Sequence, residues 1–122
     1  MDRLPWIGFL ICCAVLAFVP VATAQTVDEG LTLYREGQFE EARSLLTEIL
    51  EGQPANSEAR AYLGLTLLEL GRLPDAQREF EQAARTPPGP EMAHIGMARV
   101  YTEQKKFTDA ASALARAEQI NP

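Results

Sequence analysis

The sequence has little of what catalytic and metal-binding proteins usually carry. It contains two cysteines, Cys12 and Cys13, and a single histidine, His94. Both cysteines lie in the apolar N-terminal stretch, so a chain that loses this stretch keeps no thiol for a disulfide, a nucleophile or a metal ligand. Proton relays and metal sites need several converging groups, so His94 is better explained as a structural residue. No glycine-rich phosphate loop occurs. We therefore expect no enzyme activity, no cofactor and no small-molecule substrate.

Basic charge is sparse and is nowhere clustered. The chain has 11 lysines and arginines against 17 acidic residues, a formal net charge of −6, and its longest basic run is Lys105-Lys106. A protein that follows the phosphates of nucleic acid needs a clustered basic face. Nucleic acid is therefore not an expected partner. Hydrophobic residues make up 47% of the chain, which is the composition of a folded protein.

The N-terminus has the pattern of a secretory signal peptide. A short charged start that includes Arg3 is followed by the apolar run of residues 6–19, and small residues stand at Ala22 and Ala24. This order of charged, apolar and small residues is typical of a segment that signal peptidase removes. We predict that residues 1–24 are a signal peptide cleaved after Ala24, and that the protein is periplasmic or secreted.

An uncleaved membrane anchor is the alternative interpretation of this segment. Residues 6–24 span 19 positions, close to the ~20 that a membrane-spanning helix needs. Pro20 and the polar Thr23 shorten the usable stretch and favour cleavage. Contact with a membrane, as an inner-membrane anchored protein, is expected only if this segment is retained.

The rest of the sequence repeats with a period of 34 residues, the separation of Gly37 from Gly71 and of Gly71 from Lys105. Five further positions of the repeat, each compared across the three units and called a column here, hold residues of the same chemical class. No insertion interrupts the interval of 34 residues. These columns are Phe39, Leu73 and Phe107; Ala42, Ala76 and Ala110; Leu46, Phe80 and Leu114; Ile49, Ala83 and Ala117; and Pro54, Pro88 and Pro122. Such periods indicate stacked structural repeats.

Each repeat unit is predicted to form two helices. Leu63, Leu67 and Leu70 recur at steps of four and three before Gly71, as expected for one face of a helix that ends at a glycine. Pro74 suits the first turn of the second helix, where a missing N–H is tolerated. In the third unit, we expect Thr108 to cap the second helix and Asp109 to lie in its first turn.

The period and its columns resemble the tetratricopeptide repeat family. In the second unit the family's positions are similar to Gly64, Leu67, Gly71, Ala76, Phe80, Ala83 and Pro88. The resemblance implies an all-α fold of three helix-turn-helix units, residues 25–56, 57–90 and 91–122, stacked as a short right-handed α-solenoid. Two departures stand out. The first unit has Thr26 and Glu29 where apolar residues are expected, so its first helix should be short or frayed, and Lys105 replaces a turn glycine.

The resemblance also implies a function, namely the binding of a peptide or helix from a protein partner in the concave groove formed by the first helices. The positions that would line this groove are Leu31, Tyr34, Arg35, Tyr62, Leu65, Leu68, Glu69, Ile95 and Arg99. For Leu65 and Leu68 a second explanation stays open, since a stack of repeats also needs apolar residues that face the neighbouring unit. If that holds, the face of residues 110–114 on the last helix is the next candidate.

The sequence thus predicts an exported, non-enzymatic scaffold or adaptor. The alternative is a membrane-anchored repeat subunit of an envelope complex.

Overall fold

The computed structural model describes residues 25–85 and 87–122, and the predicted signal peptide, residues 1–24, lies outside these ranges. The regular structure within them is entirely α-helical: α1 (Val27–Arg35), α2 (Phe39–Gly52), α3 (Ser57–Glu69), α4 (Leu73–Ala83), α5 (Glu91–Glu103) and α6 (Phe107–Ile120). None of these helices is long and apolar enough to cross a bilayer.

The helices are stacked as three hairpins. Each hairpin pairs two successive helices, α1 with α2, α3 with α4 and α5 with α6, and each second helix also packs against the first helix of the next hairpin. The first helices α1, α3 and α5 touch in sequence and form an inner layer, whereas the second helices in the described residues do not touch one another. The predicted all-α stack is therefore confirmed as a short α-solenoid.

The turn inside each hairpin is the same hydrogen-bonded motif, repeated at the predicted period. Gly37, Gly71 and Lys105 adopt positive φ angles of 79°, 76° and 59°. The residue after each of them donates its N–H to a carbonyl five positions back, as Arg72 does to Leu67 at 2.8 Å. This pattern ends a helix with a left-handed residue, which glycine adopts most easily. Lys105 keeps the turn despite its side chain.

The start of the helix agrees with the prediction from the sequence in the first unit and differs from it in the third. Thr26 caps α1 by accepting the N–H of Glu29 at 3.3 Å, and α1 has 9 residues where α3 has 13, so the first helix is short as expected. In the third unit the expected cap at Thr108 is wrong. The helix begins at Phe107 and its N-cap residue is Lys106, without a side-chain cap, which places Thr108 inside the first turn beside Asp109.

The core is centred on the ring of Phe80, which is fully buried. Gly64 of its own unit and Gly96 of the next unit both approach this ring so closely that an added Cβ would collide with it. Leu46 occupies the same position in the first unit, where it is buried against Gly30. Helices come this close because the facing residue has no side chain, which explains the small residues Gly30, Gly64 and Ala98 at one position of the repeat.

The connection between the second and third units is a tight turn that contains Pro87-Pro88-Gly89-Pro90. Gly89 has a φ of 73°, and Pro90 is the N-cap residue of α5. His94 is buried and its Nε2 lies 2.7 Å from the Pro88 carbonyl oxygen, so this histidine ties the turn to α5. The hydrogen bond gives His94 the structural position that its sequence context indicated.

Candidate protein-binding face

Three side chains from the three inner helices meet on the surface of the inner layer, which we call the inner face. The carboxylate of Glu69 in α3 accepts a hydrogen bond from the Tyr34 hydroxyl of α1 at 3.3 Å and one from the Arg99 guanidinium of α5 at 2.8 Å. Helices α1 and α5 share no direct packing contact in the described residues. Their side chains reach each other across α3, so the inner face links all three units.

The ionic part of this network lies at the surface and adds little to folding. The side chains of Arg99 and Glu69 are 46% and 31% exposed to solvent. Solvent-exposed pairs of this kind contribute about 0–1 kcal/mol. The ionic pair therefore contributes little to holding the stack together.

Tyr34 is a half-buried residue whose hydroxyl belongs to this network. Burial raises the pKa of Tyr34 above its ordinary value of 10.0, and the nearby Glu69 carboxylate raises it further, against the opposing effect of Arg99. The pKa of Arg99 is also raised, mainly by its hydrogen bond to Glu69. At neutral pH the face therefore presents a neutral phenol beside a fixed guanidinium–carboxylate pair.

Tyr62 is a second half-buried tyrosine on the inner face. Burial raises its pKa, and the charges that act on it come from all three inner helices: Glu58 beside it on α3, Arg35 on α1, and Glu91 on α5. An aromatic ring with one buried side and a polar tip, set among charged groups, is the kind of residue that anchors protein interfaces.

The other predicted groove residues divide between surface and core. Arg35 is exposed, and Leu31 and Ile95 are half-buried. Leu65 retains only 6% of its exposure and belongs to the core cluster, so its prediction as a groove residue is corrected. Because α3 packs against both α1 and α5, these neighbouring helices bury its apolar surface.

Leu68 lies at the edge between the inner face and the packing between units. It is half-buried against the core and borders a hollow with Leu73, Arg99 and Glu103. Leu68 is therefore partly exposed at this edge, next to Arg99 and Glu103 of the third unit.

Sequence reasoning missed a groove on the opposite side of the molecule, which we call the outer groove. It has a volume of about 590 Å³ and is lined by Ala84, Pro87, Pro88, His94, Arg116, Gln119 and Ile120. The signal that could have found it is the proline-rich turn, because Pro87 and Pro88 line this groove. Tyr101 borders the adjoining hollow on this outer side.

The described residues contain no cluster of three histidine, cysteine, aspartate or glutamate side chains that would hold a metal ion.

A family model described as tetratricopeptide repeat matches residues 33–95, more than half of the chain. The chain belongs to the tetratricopeptide repeat family. The hairpin stack, the left-handed turn residues and the glycine–Phe80 contacts are how its residues build that repeat.

Known proteins resemble this tetratricopeptide repeat chain in sequence and in structure. An inactive TPR repeat-containing thioredoxin from Arabidopsis thaliana is 35% identical over 72 residues, which cover 59% of this chain and 10% of that protein. The chain thus matches about a tenth of the length of that curated relative.

Two solved structures of MamA share the fold. A MamA mutant aligns with a TM-score of 0.68 at 24% identity, over 97% of this chain and 86% of its own. A structure of MamA AMB-1 aligns with a TM-score of 0.63 at 27% identity, over 75% of this chain and 54% of its own. Stacked repeats of this family serve as scaffolds for protein–protein contacts, and this chain has that architecture.

Proposed function

We propose that the protein is an exported, non-enzymatic adaptor that binds a peptide segment or helix of a protein partner along its inner face. The observation that carries this proposal is the Tyr34–Glu69–Arg99 network, which orients polar groups from all three units at a surface where they add little to stability. Half-buried Tyr62 supplies the aromatic anchor beside it. Together they offer a partner one apolar ring and a set of directed hydrogen-bonding groups.

Capture of partners by variant proteins tests this function. Tyr62→Ala removes the aromatic anchor, and Tyr101→Ala is the matched control, because Tyr101 is also a half-buried tyrosine but borders the outer side. Truncating a binding anchor typically costs about 2 kcal/mol or more, which is about thirtyfold in affinity. We expect quantitative mass spectrometry to find a protein that wild type and Tyr101→Ala retain and Tyr62→Ala loses. Equal retention by both variants would refute inner-face binding.

Export is a separate part of the proposal and has its own test. It is supported by the N-terminal sequence, in which the apolar run of residues 6–19 is followed by the small residues Ala22 and Ala24. The expected mature protein begins at Gln25, and intact-mass measurement of the exported material detects it directly. A mass that retains residues 1–24, in protein that alkaline washing leaves in the membrane, supports the membrane-anchored subunit instead.

A further inference from the structure

The last helix carries apolar side chains that no other part of the described chain covers. Phe107 is 66% exposed and Leu114 is 48% exposed, and they are the two large hydrophobic residues that stand out at the surface of the described residues. Large apolar side chains grouped on one surface mark interaction sites more often than scattered ones do.

The equivalent residues one unit earlier show what kind of contact this surface of the helix makes inside the stack. There, Leu73, Gln77 and Phe80 of α4 face the third unit, and so does Ala84, the residue that follows α4. Leu73 borders the hollow that Arg99 and Glu103 also line, and Phe80 meets Gly96. Gln77 accepts a hydrogen bond from the Gln104 amide at 3.0 Å, and Ala84 lines the outer groove with His94.

The corresponding residues of α6, 34 positions later, are Phe107, Ala111, Leu114 and Glu118, which we call the end stripe. The alternative binding face predicted from the sequence, residues 110–114, belongs only in part to the end stripe. Ala110 and Ala113 are buried, with 7% and 5% of their surface exposed. A stripe in these columns is built to pack against another helix.

The other end of the stack is a poor match for the end stripe. The position at which α5 presents Gly96 to Phe80 of the second unit is occupied in α1 by Asp28, which is exposed. In residues 25–56, seven acidic and two basic side chains give a net charge of −5. A head-to-tail chain of copies would bury these polar groups against Leu114, which is unfavourable. Such stacking would also leave an open filament.

The end stripe is instead complementary to itself. Its intervals are four, three and four residues, the same in both directions along α6. When two copies of α6 pack antiparallel, each Leu114 faces the small Ala111 of the other, and each Phe107 faces the stem of Glu118. Residues 91–122 carry four acidic and four basic side chains, so two copies meet there without net repulsion.

We propose that the end stripe is a homodimer interface, in which two copies of this chain pair their α6 helices antiparallel around a two-fold axis. A closed, two-fold contact uses the same patch on both subunits and stops at two. It leaves the inner face of each copy free, so a dimer would present two partner-binding faces.

Sedimentation equilibrium of the full chain, expressed with its own N-terminal segment and purified, tests the proposal. We expect a dimer whose dissociation constant rises at least about thirtyfold in Leu114→Glu, as for loss of a central interface anchor. Phe107→Glu changes a more exposed position and should weaken the dimer without affecting the fold. Circular dichroism melting establishes that each variant is folded.

Ala115→Glu is the matched control. Ala115 is exposed on α6 beside the stripe, and α4 already carries Glu81 in the same column, so this change should leave the dimer intact. A wild-type chain that stays monomeric at millimolar concentration overturns the proposal, as does a dimer that survives Leu114→Glu and Phe107→Glu. Assemblies that grow beyond two copies with concentration also overturn it. So does a monomer whose end stripe holds a different protein.

Discussion

The ring of Phe80 fills space that two glycines leave open. A Cβ built on Gly64 would lie 2.5 Å from Cε1 of this ring, and one built on Gly96 would lie closer still. One aromatic side chain thereby joins the second unit to the third. The small residue at Gly64 could be predicted from the repeat. The role of Gly96 could not, because it acts on a ring from the preceding unit.

Gly96→Ala should therefore destabilise the protein by about 1–3 kcal/mol, the usual cost of overfilling a packed core. Gly52→Ala is the control, since a Cβ there meets nothing within 4 Å. It should be neutral or stabilise the exposed end of α2 by up to about 1 kcal/mol. Urea unfolding measures both. Equal changes in the free energy of unfolding for the two variants would show that the Phe80 ring moves to accommodate the new methyl group.

Alkaline stability reports on the Tyr34 hydroxyl. Its folded pKa is raised above 10.0, chiefly by burial, so the folded state holds this proton more tightly than the unfolded chain does. The stabilisation is complete below about pH 10 and is lost as the pH rises through the folded pKa. Tyr34→Phe should thus show a smaller loss of unfolding midpoint between about pH 9 and 11 than wild type does. Parallel losses in the two proteins would contradict the raised pKa.

Among the elements, the hairpin turn decides where the second helices begin. The N-cap residues of α2, α4 and α6 are Gln38, Arg72 and Lys106, and none of them makes a side-chain cap. Each follows the left-handed turn residue directly. The helix start is thus fixed by the turn, which is why a cap at Thr108, inferred from side-chain preference, was wrong.

The third turn should be the most strained, because Lys105 holds a φ of 59° where the others have glycine. A left-handed conformation costs a residue with a side chain about 1 kcal/mol or more. Lys105→Gly should stabilise the protein by about 0.5–1 kcal/mol, and the reciprocal Gly71→Lys should destabilise it by a similar or larger amount. Thermal unfolding of the two variants and wild type decides this, and a loss of stability in Lys105→Gly would refute it.

For the whole molecule, the period of 34 residues was enough to predict the stack, since each hairpin contacts only its neighbours. The inner face was predicted only in part. Tyr34, Glu69 and Arg99 were each expected on it, but their joint hydrogen bonding depends on how three helices bring distant positions together. Leu65 was misassigned because periodicity within one helix does not show how much of it the neighbouring helices cover.

Photo-crosslinking in cells tests whether a partner protein binds the inner face. A photoreactive phenylalanine analogue replaces Tyr62 in one variant and Tyr101 in another, so that the same probe lies on the inner or the outer side. The account predicts a covalent adduct with another protein from position 62 and none from position 101. An adduct from position 101 alone, or none from position 62 in correctly folded protein, would contradict it.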